Sequence, residues 1–79
     1  EYYIRMTVKD VPGVIASVAA VFAKYHISIN SIQQQVQGED ASVIFMIHKT
    51  GESGIKKALE SIADIGTVKS IDALIRVEE

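Results

Sequence analysis

Apolar residues in this chain recur with a period of two, then three to four, then two twice over, then three to four, then two again. Few architectures accept that order. Tyr2, Ile4, Met6 and Val8 alternate with Tyr3, Arg5, Thr7 and Lys9, the pattern of a half-buried strand. Val14, Val18, Val21, Phe22 and Tyr25 follow at three- and four-residue spacing, which predicts an amphipathic helix from Pro12 to about Tyr25. A second strand is expected over 27–37. Its apolar positions slip from Ile27 and Ile29 to Ile32 and Val36, so a bulge is expected near Asn30-Ser31. Gly38-Glu39-Asp40 turns the chain into a third strand, Ala41 to His48. That strand is apolar on both faces (Val43, Phe45 and Ile47 against Ile44 and Met46), as a central strand covered on both sides would be. Thr50 to Gly54 reads as cap and turn. Ile55, Ala58, Leu59, Ile62 and Ile65 then mark a second helix, with Gly66 as its C′ residue. The last strand runs from Val68 to Val77 with Ile71, Ala73, Ile75 and Val77 on one face.

The order βαββαβ has a topological consequence. Two right-handed βαβ units interleave into a four-stranded antiparallel sheet with both helices on one face, the α+β ferredoxin-like sandwich with strand order 4-1-3-2. The second strand then lies at an edge. It carries Gln33, Gln34, Gln35 and Gln37 and neither lysine nor proline to blunt its free backbone groups. Pairing of this edge with a second copy across a two-fold axis would extend the sheet to eight strands, so a homodimer is expected.

With 79 residues the chain is one domain, 1–79, and its hydrophobic content of 48% is high for that size, as if a partner covered part of its surface. It opens at Glu1, already inside a strand, and is read as a piece of a longer cytoplasmic protein. Without cysteine there are no disulfides, thiolate metal sites or thiol nucleophiles. The formal net charge of −2 offers no attraction to nucleic acid or to an anionic membrane, and no apolar run reaches the length of a membrane span. Tyr3 and Phe45 would be the stacking residues of an RNA-binding relative of this fold, but an Arg/Gly-rich third strand is missing. An acylphosphatase-like site would need an arginine in the first loop, which carries Asp10 instead. His26 falls at a helix C-terminus and His48 at a strand end, neither beside a nucleophile or metal ligand in sequence, so both read as structural or solvated. Gly51-Glu52-Ser53-Gly54 lacks the lysine of a phosphate loop. Catalytic and metal-ligating residues are therefore expected to be absent.

The chemistry concentrates in Asp10-Val11-Pro12-Gly13-Val14-Ile15, which joins the first strand to the first helix. Pro12 suits a first helical position, having no amide hydrogen to leave unsatisfied. Gly13 has no side chain where the backbone would meet a ligand. The helix start aims free N–H groups outward, where anions are favoured, and Asp10 puts a carboxylate beside them. Donors next to an acceptor suit a small zwitterion. The same residues also suit a cap and a turn with no ligand at all.

Val8-Lys9-Asp10-Val11-Pro12-Gly13-Val14-Ile15, followed by Phe22-Ala23-Lys24-Tyr25-His26-Ile27-Ser28-Ile29, resembles the ACT domain, the small regulatory module of amino-acid-metabolism enzymes. More narrowly, Tyr2-Tyr3-Ile4-Arg5, Ser28-Ile29-Asn30-Ser31-Ile32-Gln33-Gln34 and Val68 to Glu78 are similar to the C-terminal ACT domain of bacterial homoserine dehydrogenases. Many members carry Gly just before the second strand, where this chain has His26. The resemblance implies a non-catalytic allosteric module that pairs side by side and binds an amino acid, threonine, at the interface. Asp10 would accept from the ligand ammonium, the backbone N–H groups of Gly13, Val14 and Ile15 would hold its carboxylate, and Ser28 and Asn30 of a second copy would meet its side-chain hydroxyl. No cofactor is expected in these residues; NAD(P) would belong to the rest of the parent dehydrogenase. Ser28 and Asn30 equally suit a strand start and a bulge. Two other readings stay open: a purely structural dimerisation module, and the ACT domain of an acetolactate synthase regulatory subunit or a prephenate-processing enzyme, with valine or phenylalanine as ligand.

Overall fold

A computed structural model describes residues 1–48 and 52–77. The elements are β1 (Tyr2–Lys9), α1 (Val14–Lys24), β2 (Ile29–Gln37), β3 (Asp40–Ile47), α2 (Glu52–Ala63) and β4 (Val68–Arg76). The strands form one antiparallel sheet in the order β2-β3-β1-β4, which is the expected 4-1-3-2 read from the other side, and β2 lies at an edge.

The alternation in β1 and β3 works as read. Tyr2, Ile4, Met6 and Val8 face Ala41, Val43, Phe45 and Ile47 in register, and all are buried against Val14, Val18 and Phe22 of α1 and Ile55, Ala58 and Ile62 of α2. The Phe22 and Phe45 rings meet tilted, 5.3 Å between centroids, and Tyr25 Oη lies 3.3 Å from Ser61 Oγ between the helices. Helices cover only this face. Ile44 and Met46 point to the other one and are half-buried by neighbouring strand side chains, so β3 is not covered on both sides as its composition suggested. Tyr3 and Phe45 consequently lie on opposite faces, Phe45 buried, and cannot form one stacking platform.

Four local readings change. Pro12 does not open the helix. Val14 N–H donates to Val11 O (3.3 Å) across Pro12-Gly13, with Gly13 at φ 84°, ψ −4°. This is a type II turn, in which the third residue needs positive φ, so Gly13 is required by its dihedral and α1 begins at Val14. Gly66 is not a left-handed C′ residue either. α2 stops at Ala63, and its last turn tightens through Asp64 N–H to Ser61 O (3.2 Å) and Ile65 N–H to Ile62 O (3.0 Å). Gly54 lies inside α2 rather than in a turn before it, while Thr50 and Gly51 fall outside the described residues. Finally, β4 does not alternate cleanly. Its pairing with β1 skips Lys69 and Asp72, so Ile71 sits opposite Met6 on the helix side and Ala73 and Ile75 sit opposite Arg5 and Tyr3 on the open side. The bulge expected near Asn30 is present, where the pairing steps from Ile29 to Ser31.

The Asp72 bulge is stapled by hydroxyls. Thr7 Oγ1 donates to Asp72 Oδ2 (2.6 Å) and Ser70 Oγ to Oδ1 (2.7 Å). These bonds, with the charge of Arg5, hold the carboxyl below its ordinary value of 3.8. A depressed carboxylate stabilises the fold above its unfolded pKa and loses that contribution as pH falls through the folded one. Asp72→Asn should therefore cost at most about 1 kcal/mol near pH 7, the site being exposed, and the gap from wild type should close below about pH 4. Urea midpoints at the two pH values measure it, and a gap that widens in acid would contradict the assignment.

α1 ends where the family position would hold Gly. His26 N–H donates to Ala23 O (3.0 Å) and Ile27 N–H to Phe22 O (2.9 Å), with His26 at φ 58°. That is a Schellman ending, and buried Ile27 and Phe22 supply its apolar contact. Left-handed backbone costs a side-chain-bearing residue about 1–2 kcal/mol, of which glycine's looser unfolded chain returns about 0.4–1. His26→Gly should thus raise the thermal midpoint by about 2–5 °C. A lower midpoint would assign the exposed imidazole a contact of its own.

Candidate functional site

The end of β1 is clamped from both sides. Lys9 N–H donates to Thr67 O (2.8 Å) and Asp10 N–H to Glu39 O (2.9 Å), so the start of β4 and the β2–β3 turn fix the backbone beneath the Asp10 carboxylate. Val11 N–H then donates to Lys9 O (2.9 Å), a γ-turn centred on Asp10 that tips its side chain out of the sheet. The type II turn follows and delivers the chain into α1, whose first backbone bond is Ser17 N–H to Gly13 O (2.9 Å).

Three of the expected features meet here. Asp10 is exposed and beside the turn, and the N–H groups of Gly13 and Ile15 have no backbone acceptor among the described residues. Val14 N–H is turned back to Val11 O. A cavity of about 390 Å³ lies against this corner, lined by Lys9, Asp10, Val11, Glu39, Asp40 and Lys69. Lys69 Nζ is held by the Asp40 carboxylate at 2.9 Å, which leaves Asp10 and Glu39 against the single charge of Lys9, a net negative corner favourable to a cation such as an ammonium.

Ser28 and Asn30 are elsewhere. They lie at the far end of β2, where Ser28 O accepts from His48 N–H (3.0 Å) and Asn30 Nδ2 donates to Glu1 Oε2 (2.8 Å). The strand instead brings Gln34 to the loop, its Nε2 3.5 Å from Asp10 Oδ1. Asn30 is four residues further along, about 13 Å at the rise of a strand. Within one copy the six expected residues therefore form two groups. Gln34 is the residue that the sequence pattern did not single out. It shares the helix-side face of β2 with Ile32 and Val36, which are 41% and 55% exposed, and Val11 on the loop is 40% exposed. The site thus pairs a carboxylate and an amide with three open apolar side chains.

The arrangement does not fit a dinucleotide. A pyrophosphate-binding turn needs several glycines and bare N–H groups, whereas this one has a single Gly with a carboxylate standing beside it. Among the described residues no three His, Asp or Glu side chains gather as a metal site, and no helix is long and apolar enough to cross a membrane. His26 and His48 are both exposed.

Comparisons with known proteins identify the family and the fold. The family model described as the ACT domain matches residues 2–67. Homoserine dehydrogenase of Corynebacterium glutamicum is 34% identical over 77 residues, which is 98% of this chain and 17% of that protein. The crystal structure of a homoserine dehydrogenase from Thiobacillus denitrificans superposes with a TM-score of 0.86 at 31% identity, covering 99% of this chain and 17% of that one. The small subunit of acetolactate synthase from Thermotoga maritima has the same fold, with a TM-score of 0.74 at 22% identity over 90% of this chain and 45% of that one. The chain spans about a fifth of the length of the curated relatives it matches.

Proposed function

The chain belongs to the ACT domain family, and on that premise we propose that it is the threonine-sensing regulatory part of a homoserine dehydrogenase acting in the aspartate pathway. The observation that carries the reading is the Asp10–Gln34 pair beside the Pro12-Gly13 turn, in a chain similar along its whole length to such enzymes. Asp10 takes the ligand ammonium, and the N–H groups of Gly13 and Ile15 face its carboxylate, joined by that of Val14 when it leaves Val11 O. Two copies pair antiparallel through β2, which runs the Ser28–Asn30 end of one copy toward the Gln37 end of the other. Ser28 and Asn30 of the second copy then meet the hydroxyl. Buried polar groups left unpaired are costly, so a site built this way rejects an isostere without the hydroxyl. Threonine binds one arrangement of the pair better than another and so shifts the population toward a less active enzyme. The hydride chemistry and NAD(P) belong to the remainder of such a cytoplasmic enzyme.

A purely structural dimerisation module would close that corner with side chains of the second copy, whereas a sensor keeps it open for a ligand. Exposed Val11, Ile32 and Val36 favour one second reading, an apolar wall for a branched-chain amino acid such as valine. Calorimetric titration of the dimeric chain with threonine, serine, isoleucine, valine and phenylalanine decides between them. Heat with threonine alone is the expected result. Selective valine binding would replace the ligand, and flat traces for all five would leave only the structural module.

A further inference from the structure

Six large apolar side chains stand exposed among the described residues, and they fall into two groups on opposite edges of the sheet. Val11, Ile32 and Val36 surround the Asp10 corner. Leu74, Ile75 and Val77 lie within four residues of each other at the end of β4, the second edge strand. Glu1 and Val77 exchange backbone bonds, Val77 N–H to Glu1 O at 2.7 Å and the Glu1 amino group to Val77 O at 3.5 Å. Alternation along an antiparallel ladder then turns the amide and carbonyl of Leu74 away from β1, toward the open edge.

Both faces beside that edge are apolar. Leu74 lines a groove of about 550 Å³ between α2 and the sheet, walled by Tyr2, Ile55, Leu59 and Ala63. Ile75 lies on the other side next to Tyr3. The first half of β4 is unlike the second, since bulges at Lys69 and Asp72 interrupt its pairing, while the side chains of both residues reach back to Asp40 and Thr7 on the inner strands. Bulges protect an edge from added strands. Only the stretch from Ala73 onward is left competent to pair.

We propose that this stretch of β4 receives an extended, alternately apolar strand from the part of a homoserine-dehydrogenase-like polypeptide that lies outside these 79 residues, with one apolar side chain seated in the groove. Main-chain bonds to an open edge beside a side-chain pocket are how strand addition gains both affinity and selectivity. A second copy is excluded as the occupant by closure, an argument that rests on β2 pairing between copies. A two-fold at each edge of the sheet would continue it without end, whereas a strand from elsewhere stops it. Relatives about five times longer than this chain carry ample polypeptide for the purpose, at the high local concentration that covalent linkage gives.

The test grafts the 79 residues in place of the matching part of the Thiobacillus denitrificans enzyme and compares amide hydrogen exchange in the graft with that in the chain alone. Slow exchange at Ile4 and Phe45 reports that the domain is folded in each sample. The Leu74 amide is expected to exchange about 100-fold more slowly in the graft, and Ile75→Lys to remove that slowing. Equal exchange in both samples overturns the proposal. So does slowing in the isolated chain that grows with concentration, which would hand the edge to a second copy. The β2 amides, read in the same samples, report pairing at the other edge independently. If the graft fails to fold, the truncated enzyme without its matching part is added to the isolated chain, and an unchanged Leu74 amide overturns the proposal equally.

Discussion

Replacing Asp10 by alanine should weaken threonine binding by about 10- to 100-fold and leave the unfolding midpoint nearly unmoved. The carboxylate is exposed and its one side-chain partner among the described residues is Gln34 at 3.5 Å, so little folding energy rests on it. Its backbone bond to Glu39 O survives in alanine. Toward an ammonium the same group makes a charge-assisted bond worth about 1.5–3 kcal/mol, which is the stated loss of affinity. Asp10→Asn should fall between, keeping an acceptor of the same shape without the charge. Calorimetry supplies the affinities and a thermal melt supplies the control. Undiminished threonine binding to Asp10→Ala would detach the ligand from this loop, and a midpoint lowered by more than about 5 °C would turn Asp10 into a structural residue.

The largest effect on stability is expected at Phe22. Its side chain is fully buried, its ring meets Phe45, and it provides the apolar contact of the ending of α1. Truncation to alanine in such a core costs about 3–5 kcal/mol. A domain of this size holds roughly 4–12 kcal/mol in all. Phe22→Ala should therefore be largely unfolded, or melt more than about 15 °C lower. Phe22→Leu refills most of the space and should lose less than half as much. A urea titration that puts the alanine variant within about 1.5 kcal/mol of wild type would mean that the two aromatic rings are not the centre of the core.

Period alone identified six elements in the right order, because each apolar stripe here repeats long enough to separate a helix from a strand. It failed where the distinction depends on dihedrals or on a neighbour. Pro12-Gly13 fits a helix start and the middle of a type II turn equally well, and only the bond from Val14 to Val11 separates them. Ile71, Ala73, Ile75 and Val77 alternate without fault in sequence. The extra residue at Asp72 exists only relative to β1, so no reading of β4 by itself could reveal that Ile71 faces the helices. Gln33, Gln34 and Gln35 look alike, yet the register places Gln34 opposite Val43, on the face of the loop. Its alternation with Ile32 and Val36 was the available signal. Asp10 stood out in sequence because it is the one carboxylate between β1 and α1, and the fold leaves it exposed there. The separation of Ser28 and Asn30 from Asp10 follows from strand direction, which spacing in sequence does not record.

Glu1 and Val77 lie side by side, joined by backbone bonds. The domain therefore enters and leaves through one point, much as an electrical fitting does through its plug. A host protein can accommodate it in a single surface loop, because neither fold has to stretch to reach the other. Portability of that kind suits a regulatory module, which can be attached to a host without redesigning either fold.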